Sequence, residues 1–339
     1  MTILPTPSRA RIKDVAALAG VSPATASRAL SNDPAVTEIT KKRVIDAART
    51  LRFRPNSLAR DLRSGGVTTA IGYVMQDLAN PWYAQVAAGA EEIFRKAGLE
   101  LIVATTEEDP LREELVVRTM LERRVQALLL IPLSDDHSYL EGERQLGTPL
   151  IFVDRPPINL TADSITIDNR GGVAEGVDHL VNSGHRRIGL LSGPESLWTT
   201  RERFEGYKLG LKRNDIEFDP TLVKHSQYTN ESVDELFSTL MSSNNRPSAL
   251  ISTNNRLTVS LLQTNSEMLE TIAFLGFDDF ELADLLKISV ISYDAVELGR
   301  QAARLTLERI QRPLETPKQI EIKTVLVPRG SAERNPKNV

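Results

Sequence analysis

Five separated stretches carry side chains able to grip a polyhydroxylated molecule. They are Asn80, Trp82 and Tyr83 in 80-NPWY-83, the dipeptide Asp154-Arg155, the pair Arg201 and Arg203, Asn254, and Asp278. Aromatic rings stack on the C–H faces of a sugar, and carboxylates, amides and guanidinium groups bind its hydroxyls in pairs. Taken singly each is ordinary, since Asn-Pro also starts helices and Asp-Arg is often a surface ion pair. Their weight lies in position, because each sits at the end of a strand-like run. A different chemistry is offered by Arg28 on a short helix, a long donor that can grip guanine O6 and N7 in a bidentate pair. Catalytic patterns are lacking: there is no phosphate-binding Walker loop, no HExxH and no G-x-S-x-G elbow. His137, His179, His185 and His225 are scattered without metal-ligand spacing. Gly171, Gly172 and Gly176 do not form a dinucleotide fingerprint and are read as helix packing, and His185 in 184-GHRRIG-189 as a turn residue before a strand. The adjacent Asp278 and Asp279 leave glycoside hydrolysis as the enzymatic alternative. The expectation is a binding protein that is not an enzyme and needs no cofactor or metal.

The elements that position these groups alternate. From residue 69, strand-like TAIGYV, LELIVA, QALLLIP and PLIFVD are separated by helical stretches 81–97, 110–123 and a short one; SITI, RIGLLSG, a strand near 222, SALIST and TIAFLGF alternate with helices 169–183, 200–213, 231–241 and 255–268. This is a βαβ progression in two series, so the fold expected is an α/β body of two parallel-sheet Rossmann-like lobes, whose strand C-termini face one cleft. Ahead of it, 12-IKDVAALAGVSPATASRAL-30 places Ile12, Val15, Ala16 and Ala19 at helical spacing, then Gly20 for a left-handed turn, then Ser22 as cap with Pro23 at the first helical position. Helix, tight turn and second helix, roughly 22–30, followed by a third near 37–51, make a small all-α helix-turn-helix domain. Val21, Ala26 and Leu30 face inward on the second helix, leaving Pro23, Ala24, Ser27 and Arg28 outward. Ser22 and Thr25 suit phosphates at a helix N-terminus, and Lys41, Lys42 and Arg43 of the third helix can reach phosphates.

Charge separates the same two parts. The net charge over 339 residues is −4, but residues 1–66 hold twelve Lys+Arg against five Asp+Glu and the remainder 29 against 40. A basic head on an acidic body is the division expected when one end meets phosphate. Cysteine is absent, which removes disulfides, thiolate metal sites and cysteine nucleophiles. No apolar run approaches the roughly 18 to 20 residues of a membrane span, and MTILPTPSRARIKD lacks a signal region, so the expectation is a cytoplasmic protein without a membrane partner.

The stretch IKDVAALAGVSPATASRALSNDPAVTEITKKRVIDAARTLRFRPN resembles the DNA-binding head of the lac-repressor (LacI/GalR) regulators. The resemblance continues through NPWYAQVAAGAEE, 154-DRPP-157, 166-TIDNRGGVAEGVDHLVNSGHRRIGLLSGP-194, 203-RFEGY-207, 276-GFDDFELA-283 and the closing VPRGS, so it covers almost the whole chain. It implies a periplasmic-binding-protein-like body and a transcriptional regulator, usually a repressor, that binds double-stranded operator DNA as a homodimer under control of a small sugar-like effector. Operator selection would fall to Pro23, Ala24 and Arg28. The segment 56-NSLARDL-62, too short for a stable helix alone, would be a hinge helix in which Asn56 caps and Leu62, flanked by Ala59 and Arg63, wedges the minor groove. The effector residues implied are Asn80, Trp82, Tyr83, Asp154, Arg155, Arg203, Asn254 and Asp278, with Tyr228 and Tyr293 completing the candidate set. Tyr293 stands where relatives usually carry glutamine, and Asn255 where they carry aspartate. Ribose or a ribonucleoside is the implied effector, with induction the commoner outcome in the family. The domains expected are a head 1–55, a hinge and linker 56–66, and a body 67–339, with one lobe over 67–164 and 292–312 and the other over 165–291 and 313–330. A sugar receptor or sugar-processing enzyme carrying an accessory head is the alternative.

Overall fold

The structure is a computed structural model that describes residues 10–53, 68–242 and 246–336 and divides the chain into two units after Thr68. In the first unit α1 (Ile12–Ala19), α2 (Pro23–Leu30) and α3 (Glu38–Thr50) enclose a small core of Val15, Ala16, Ala19, Ala26, Ala29, Val36, Val44, Ala47 and Ala48. Gly20 takes φ 63°, the left-handed value that the turn requires and that costs a side chain-bearing residue about 1–2 kcal/mol. Ser22 caps α2 by accepting from the Thr25 amide at 3.1 Å. On α2 the inward set is Ala26 and Ala29, with Val21 and Leu30 half-buried, while Pro23, Ala24 and Arg28 are exposed as expected. One expectation fails: Lys41 is buried and its ammonium lies 2.8 Å from Glu38, which removes it from the phosphate-reaching set. The hinge residues Asn56, Ala59, Leu62 and Arg63 lie outside the described residues.

The second unit is built from two sheets of six strands each. The chain lays down β1 (Ala70–Met75), α4 (Pro81–Lys96), β2 (Glu100–Thr105), α5 (Pro110–Glu122), β3 (Ala127–Leu130), α6 (Glu141–Gln145), β4 (Leu150–Asp154) and β5 (Asp163–Ile167). It crosses to α7 (Asn169–Asn182), β6 (Ile188–Ser192), α8 (Trp198–Arg213), β7 (Val223–His225), α9 (Asn230–Met241), β8 (Ala249–Ser252), α10 (Asn255–Leu269), β9 (Ala273–Phe277) and β10 (Ser289–Ser292). It then returns through α11 (Ala295–Gln311), β11 (Gln319–Ile322) and β12 (Val325–Val327). The first sheet has the order β11-β5-β4-β3-β1-β2 and is parallel throughout. The second, β12-β10-β9-β8-β6-β7, is parallel except for the antiparallel β10–β12 pair. Apolar runs such as Ala127–Leu130 and Ala273–Phe277 are buried along their whole length, as strands covered by helices on both faces must be.

The lobe boundaries differ from those expected. The break at 164/165 falls inside β5, which pairs in register with β4 and β11, so β5 and β11 both belong to the first lobe. The chain therefore crosses near Asp168 and again at 323–324, and only β12 of the final segment joins the second sheet. In the first lobe α4 and α11 approach so closely that a Cβ on Gly89 would stand 1.9 Å from the Val296 carbonyl oxygen, and one on Gly299 2.0 Å from that of Val86. Gly172 and Gly176 serve packing as expected, since Cβ atoms there would press on Ile291 at 3.0 and 2.9 Å. The expected helix 255–268 is present as α10 and is interrupted at Asn265 (φ −139°, ψ 30°). Asn265 Nδ2 donates to Asp234 at 2.9 Å.

Candidate functional site

The C-terminal ends of the strands converge on one cleft of about 450 Å3, its open mouth included. All ten expected effector residues line it: Asn80, Trp82, Tyr83, Asp154, Arg155, Arg203, Tyr228, Asn254, Asp278 and Tyr293. Most are placed by an element end, and Arg203 by the second turn of α8. Asn80 caps α4, accepting from the Trp82 amide at 3.1 Å, which sets the two aromatic rings edge to face with centroids 5.1 Å apart. Asn254 accepts from the Leu257 amide at 2.9 Å at the start of α10. Asp154 ends β4 at φ 71° and Asp278 follows β9 at φ 70°, so the two sheets present carboxylates from matching, left-handed backbone positions. Arg201, offered by sequence with Arg203, does not line this cleft; from within α8 it donates to the Glu195 and Ser196 carbonyls.

The charged groups are tied to one another. Arg155 Nε lies 3.2 Å from Asp154 and its Nη1 donates to the Pro132 carbonyl at 2.8 Å. With the Gln76 amide oriented to satisfy its neighbours, its nitrogen donates to the Tyr83 hydroxyl at 2.6 Å and its oxygen accepts from Arg155 Nη2 at 3.2 Å. Arg203 donates to Asn169 at 2.7 Å and to the Thr253 carbonyl, stands 3.8 Å from Asp278, and stacks 3.8 Å over the Phe277 ring. Tyr293 donates its hydroxyl to Asp278 at 2.9 Å. Burial pushes the Asp154 carboxyl above its ordinary range, the nearby Arg155 and Arg203 working against that and Asp278 with it. Burial likewise keeps the Tyr83 and Tyr293 hydroxyls protonated. Two guanidinium groups and two carboxylates, already paired, leave a neutral cleft rich in directional donors and acceptors. One donor stands ready, because the buried Trp82 indole nitrogen has no hydrogen-bond partner among the described residues.

Two contacts bridge the lobes at the rim. Asn80 and Asn255 form a reciprocal amide pair with bonds of 2.9 and 3.5 Å, and Arg256 pairs with Glu108 while lying 5.0 Å over the Tyr228 ring. Thr199, Thr200, Thr253 and Asn255 also line the cleft. The threonines carry no compositional signal: Thr199 and Thr200 lie in the first turn of α8, and Thr253 directly follows β8. In the first unit the exposed side of α2 presents Pro23, Ala24 and Arg28, with Ser27 half-buried beside them. Ser22 and Thr25 are bonded to one another, hydroxyl to hydroxyl at 2.9 Å.

Residues 11–56 match the model of bacterial regulatory proteins of the lacI family, and residues 177–332 that of a periplasmic binding protein-like domain. The chain is 29% identical to the ribose operon repressor of Escherichia coli strain K12 over 330 residues, covering 95% of this chain and 100% of that one. It is 28% identical over 331 residues to the transcriptional repressor PurR of Photobacterium profundum, covering 96% and 99%. Among solved structures, the lac repressor dimer bound to operator and the anti-inducer ONPF superposes with a TM-score of 0.82 over 96% of this chain and all of that one, at 24% identity, a likeness of fold.

Proposed function

The chain belongs to the lacI family of bacterial regulatory proteins, and on that footing we propose that it is a transcriptional regulator whose operator binding is set by a neutral, sugar-like effector in the cleft. The observation that carries this reading is the convergence of ten separately expected side chains on one cavity whose charges are internally paired. Paired carboxylates and guanidiniums bind vicinal hydroxyls through several fixed bonds, and an apolar ring wall takes the sugar face. Ribose or a ribose-bearing compound is the favoured effector, in keeping with the relative named a ribose operon repressor. The protein works as a dimer on a near-palindromic operator, because one helix-turn-helix offers a small interface and two-fold symmetry doubles it. Arg28 reads a base pair, Pro23 and Ala24 act by shape and methyl contact, and Ser22, Thr25 and Ser27 sit nearest the backbone phosphates. Leu62, with Asn56, Ala59 and Arg63, forms the minor-groove wedge. Effector binding changes operator affinity by a coupling of about 1–3 kcal/mol, with release as the expected direction. The protein acts in the cytoplasm, and no turnover of the effector is expected.

A thermal-shift screen of pentoses, hexoses, nucleosides and sugar phosphates tests this directly, since a ligand that binds only the folded state raises the melting temperature by mass action. A neutral sugar or nucleoside is expected to shift it and to alter operator binding; a shift by none of them, or turnover of a sugar, would overturn the reading.

A further inference from the structure

Two ionisable side chains are sealed inside the first lobe and take no direct part in the cleft. Glu113, in the first turn of α5, and His137, in the loop after β3, are both fully buried, and neither lines the effector site. Burying a carboxylate against an imidazole costs more than burying apolar groups of the same size, and such a pair adds little net stability. Its use lies in what it holds.

The bonds of the pair run to the two loops that follow β3 and β4. Glu113 Oε2 accepts from the Leu133 amide at 2.5 Å and from the Ser134 amide at 3.3 Å, while Oε1 faces His137 Nε2 at 3.4 Å. His137 in turn clamps Ile158 twice: its Nδ1 accepts from the Ile158 amide at 3.0 Å, and its own amide donates to the Ile158 carbonyl at 2.9 Å. The ring stands edge-on to Phe152 of β4, with centroids 5.1 Å apart. A nitrogen that accepts carries no proton, so the proton of the ring is on Nε2, toward the carboxylate. The other tautomer would set two N–H groups head to head at Ile158 and a bare nitrogen against Oε1. Glu113 thereby selects the tautomer that can hold Ile158.

Between Ile158 and Arg155 stand Pro156 and Pro157, whose rings fix φ at about −65°. A stiff segment anchored at Ile158 sets where Asp154 and Arg155 come to rest. The other loop reaches the same guanidinium, because the carbonyl of Pro132, next to Leu133, accepts from Arg155 Nη1 at 2.8 Å. Asp154 is held at φ 71°, a conformation that persists where the surroundings over-determine it. We propose that Glu113 and His137 are positioning residues for effector binding: the carboxylate fixes the imidazole tautomer, the imidazole holds the turn 154–158, and the turn presents Asp154 and Arg155 to the ligand. This rests on the reading of the cleft as the effector site and adds residues behind it that set its geometry.

The test pairs three variants with a signal that needs no ligand. His137→Asn keeps an acceptor where Nδ1 stood, His137→Leu fills similar space without one, and Glu113→Gln keeps the shape but must turn its amide N–H toward Nε2 or toward the Leu133 amide. In the full chain carrying isotope-labelled arginine, the Arg155 Nε–H resonance, assigned by its loss in Arg155→Lys, reports how firmly the guanidinium is held. Calorimetric titration with ribose reports binding. His137→Leu and Glu113→Gln are expected to shift that resonance, speed its exchange with water and weaken ribose binding about ten-fold or more, the factor that one buried donor left unpaired brings. His137→Asn should keep both near the wild type. Should His137→Leu fail to fold, Glu113→Gln carries the same contrast with His137→Asn. An Arg155 resonance unchanged in His137→Leu and Glu113→Gln, or equal ribose affinity in all four proteins, would overturn the positioning role and leave the cleft reading in place. Equal losses in all three variants would also overturn it, as the mark of packing alone. A wild type that takes up no ribose counts against the sugar reading of the cleft, and the Arg155 resonance then supports or overturns the positioning by itself.

Discussion

Three cleft residues hold their backbones in the left-handed region: Asp154, Tyr228 and Asp278, at φ 71°, 64° and 70°. Such positions cost of order 1–3 kcal/mol each and persist where the surroundings over-determine them, as the arginine and tyrosine partners of Asp154 and Asp278 do here. Aspartate and asparagine tolerate this conformation better than other side chain-bearing residues. Asp154→Asn is therefore expected to keep the melting temperature while lowering effector affinity at least ten-fold by calorimetry. Asp154→Ala should show the same loss of affinity and an added destabilisation of about 1 kcal/mol in denaturant unfolding. On α2, Arg28→Ala should lower operator affinity by about 1–3 kcal/mol and relax preference at a single base pair, read by competition among singly substituted duplexes. At this scale the sequence was legible wherever a residue type was unusual at a strand end, which covers eight of the ten cleft positions, while Tyr228 and Tyr293 entered only with the family resemblance. It was not legible for Thr199, Thr200 and Thr253, whose types are common everywhere, nor for Gln76, which acts from behind Tyr83 and Arg155. Lys41 was misjudged by charge alone; it lies three and seven residues before Val44 and Ala48, on the buried face of α3.

The elements are held by contacts that join segments distant in the chain. The α4–α11 pair depends on Gly89 and Gly299, where any side chain meets a facing carbonyl oxygen. Gly299→Ala is expected to destabilise by about 1–3 kcal/mol, measured as a lowered denaturant midpoint. Arg309 of α11 grips Asp163 at the start of β5 through two bonds of 2.7 Å with both side chains buried, which fixes β5 in the first sheet. That pairing explains the misplaced lobe boundary: SITI and the strand after Lys318 are equally apolar in either lobe, and their sheet is decided by Arg309, more than a hundred residues from β5, which local periodicity does not encode. In the second lobe His185 is buried before β6, with ring nitrogens 2.9 Å from Ser248 and 2.7 Å from the Arg334 carbonyl, as its reading as a structural turn residue expected. Burial lowers its pKa, the Arg334 contact partly opposing this. The unfolded chain then takes up a proton near pH 6.5 that the folded chain resists, so stability should fall as pH drops below about 6.5. His185→Gln should flatten that dependence in denaturant midpoints compared at about pH 8 and pH 5.5.

Across the whole molecule the basic head and acidic body divide the work. Twelve Lys+Arg against five Asp+Glu over residues 1–66 supply attraction to any duplex, and that attraction weakens with salt as counterions are released. Specific recognition needs the base-reading side chains and a partner head, and regulation needs the cleft to bias what the heads can do. The lobes of the body already touch at Asn80–Asn255 and Glu108–Arg256, so a ligand that strengthens or breaks those contacts has a discrete change of state to act on. The central claim is that occupancy of the cleft controls sequence-specific DNA binding. Its most direct measurement is fluorescence anisotropy of the full chain on a duplex selected from a random pool, titrated with and without the ligand found by thermal shift. Dimeric binding with an affinity that ligand changes by roughly 5- to 150-fold is expected, with Asp154→Asn insensitive to ligand. An affinity for the selected duplex no higher than for random DNA, or one that no cleft ligand alters, would contradict it.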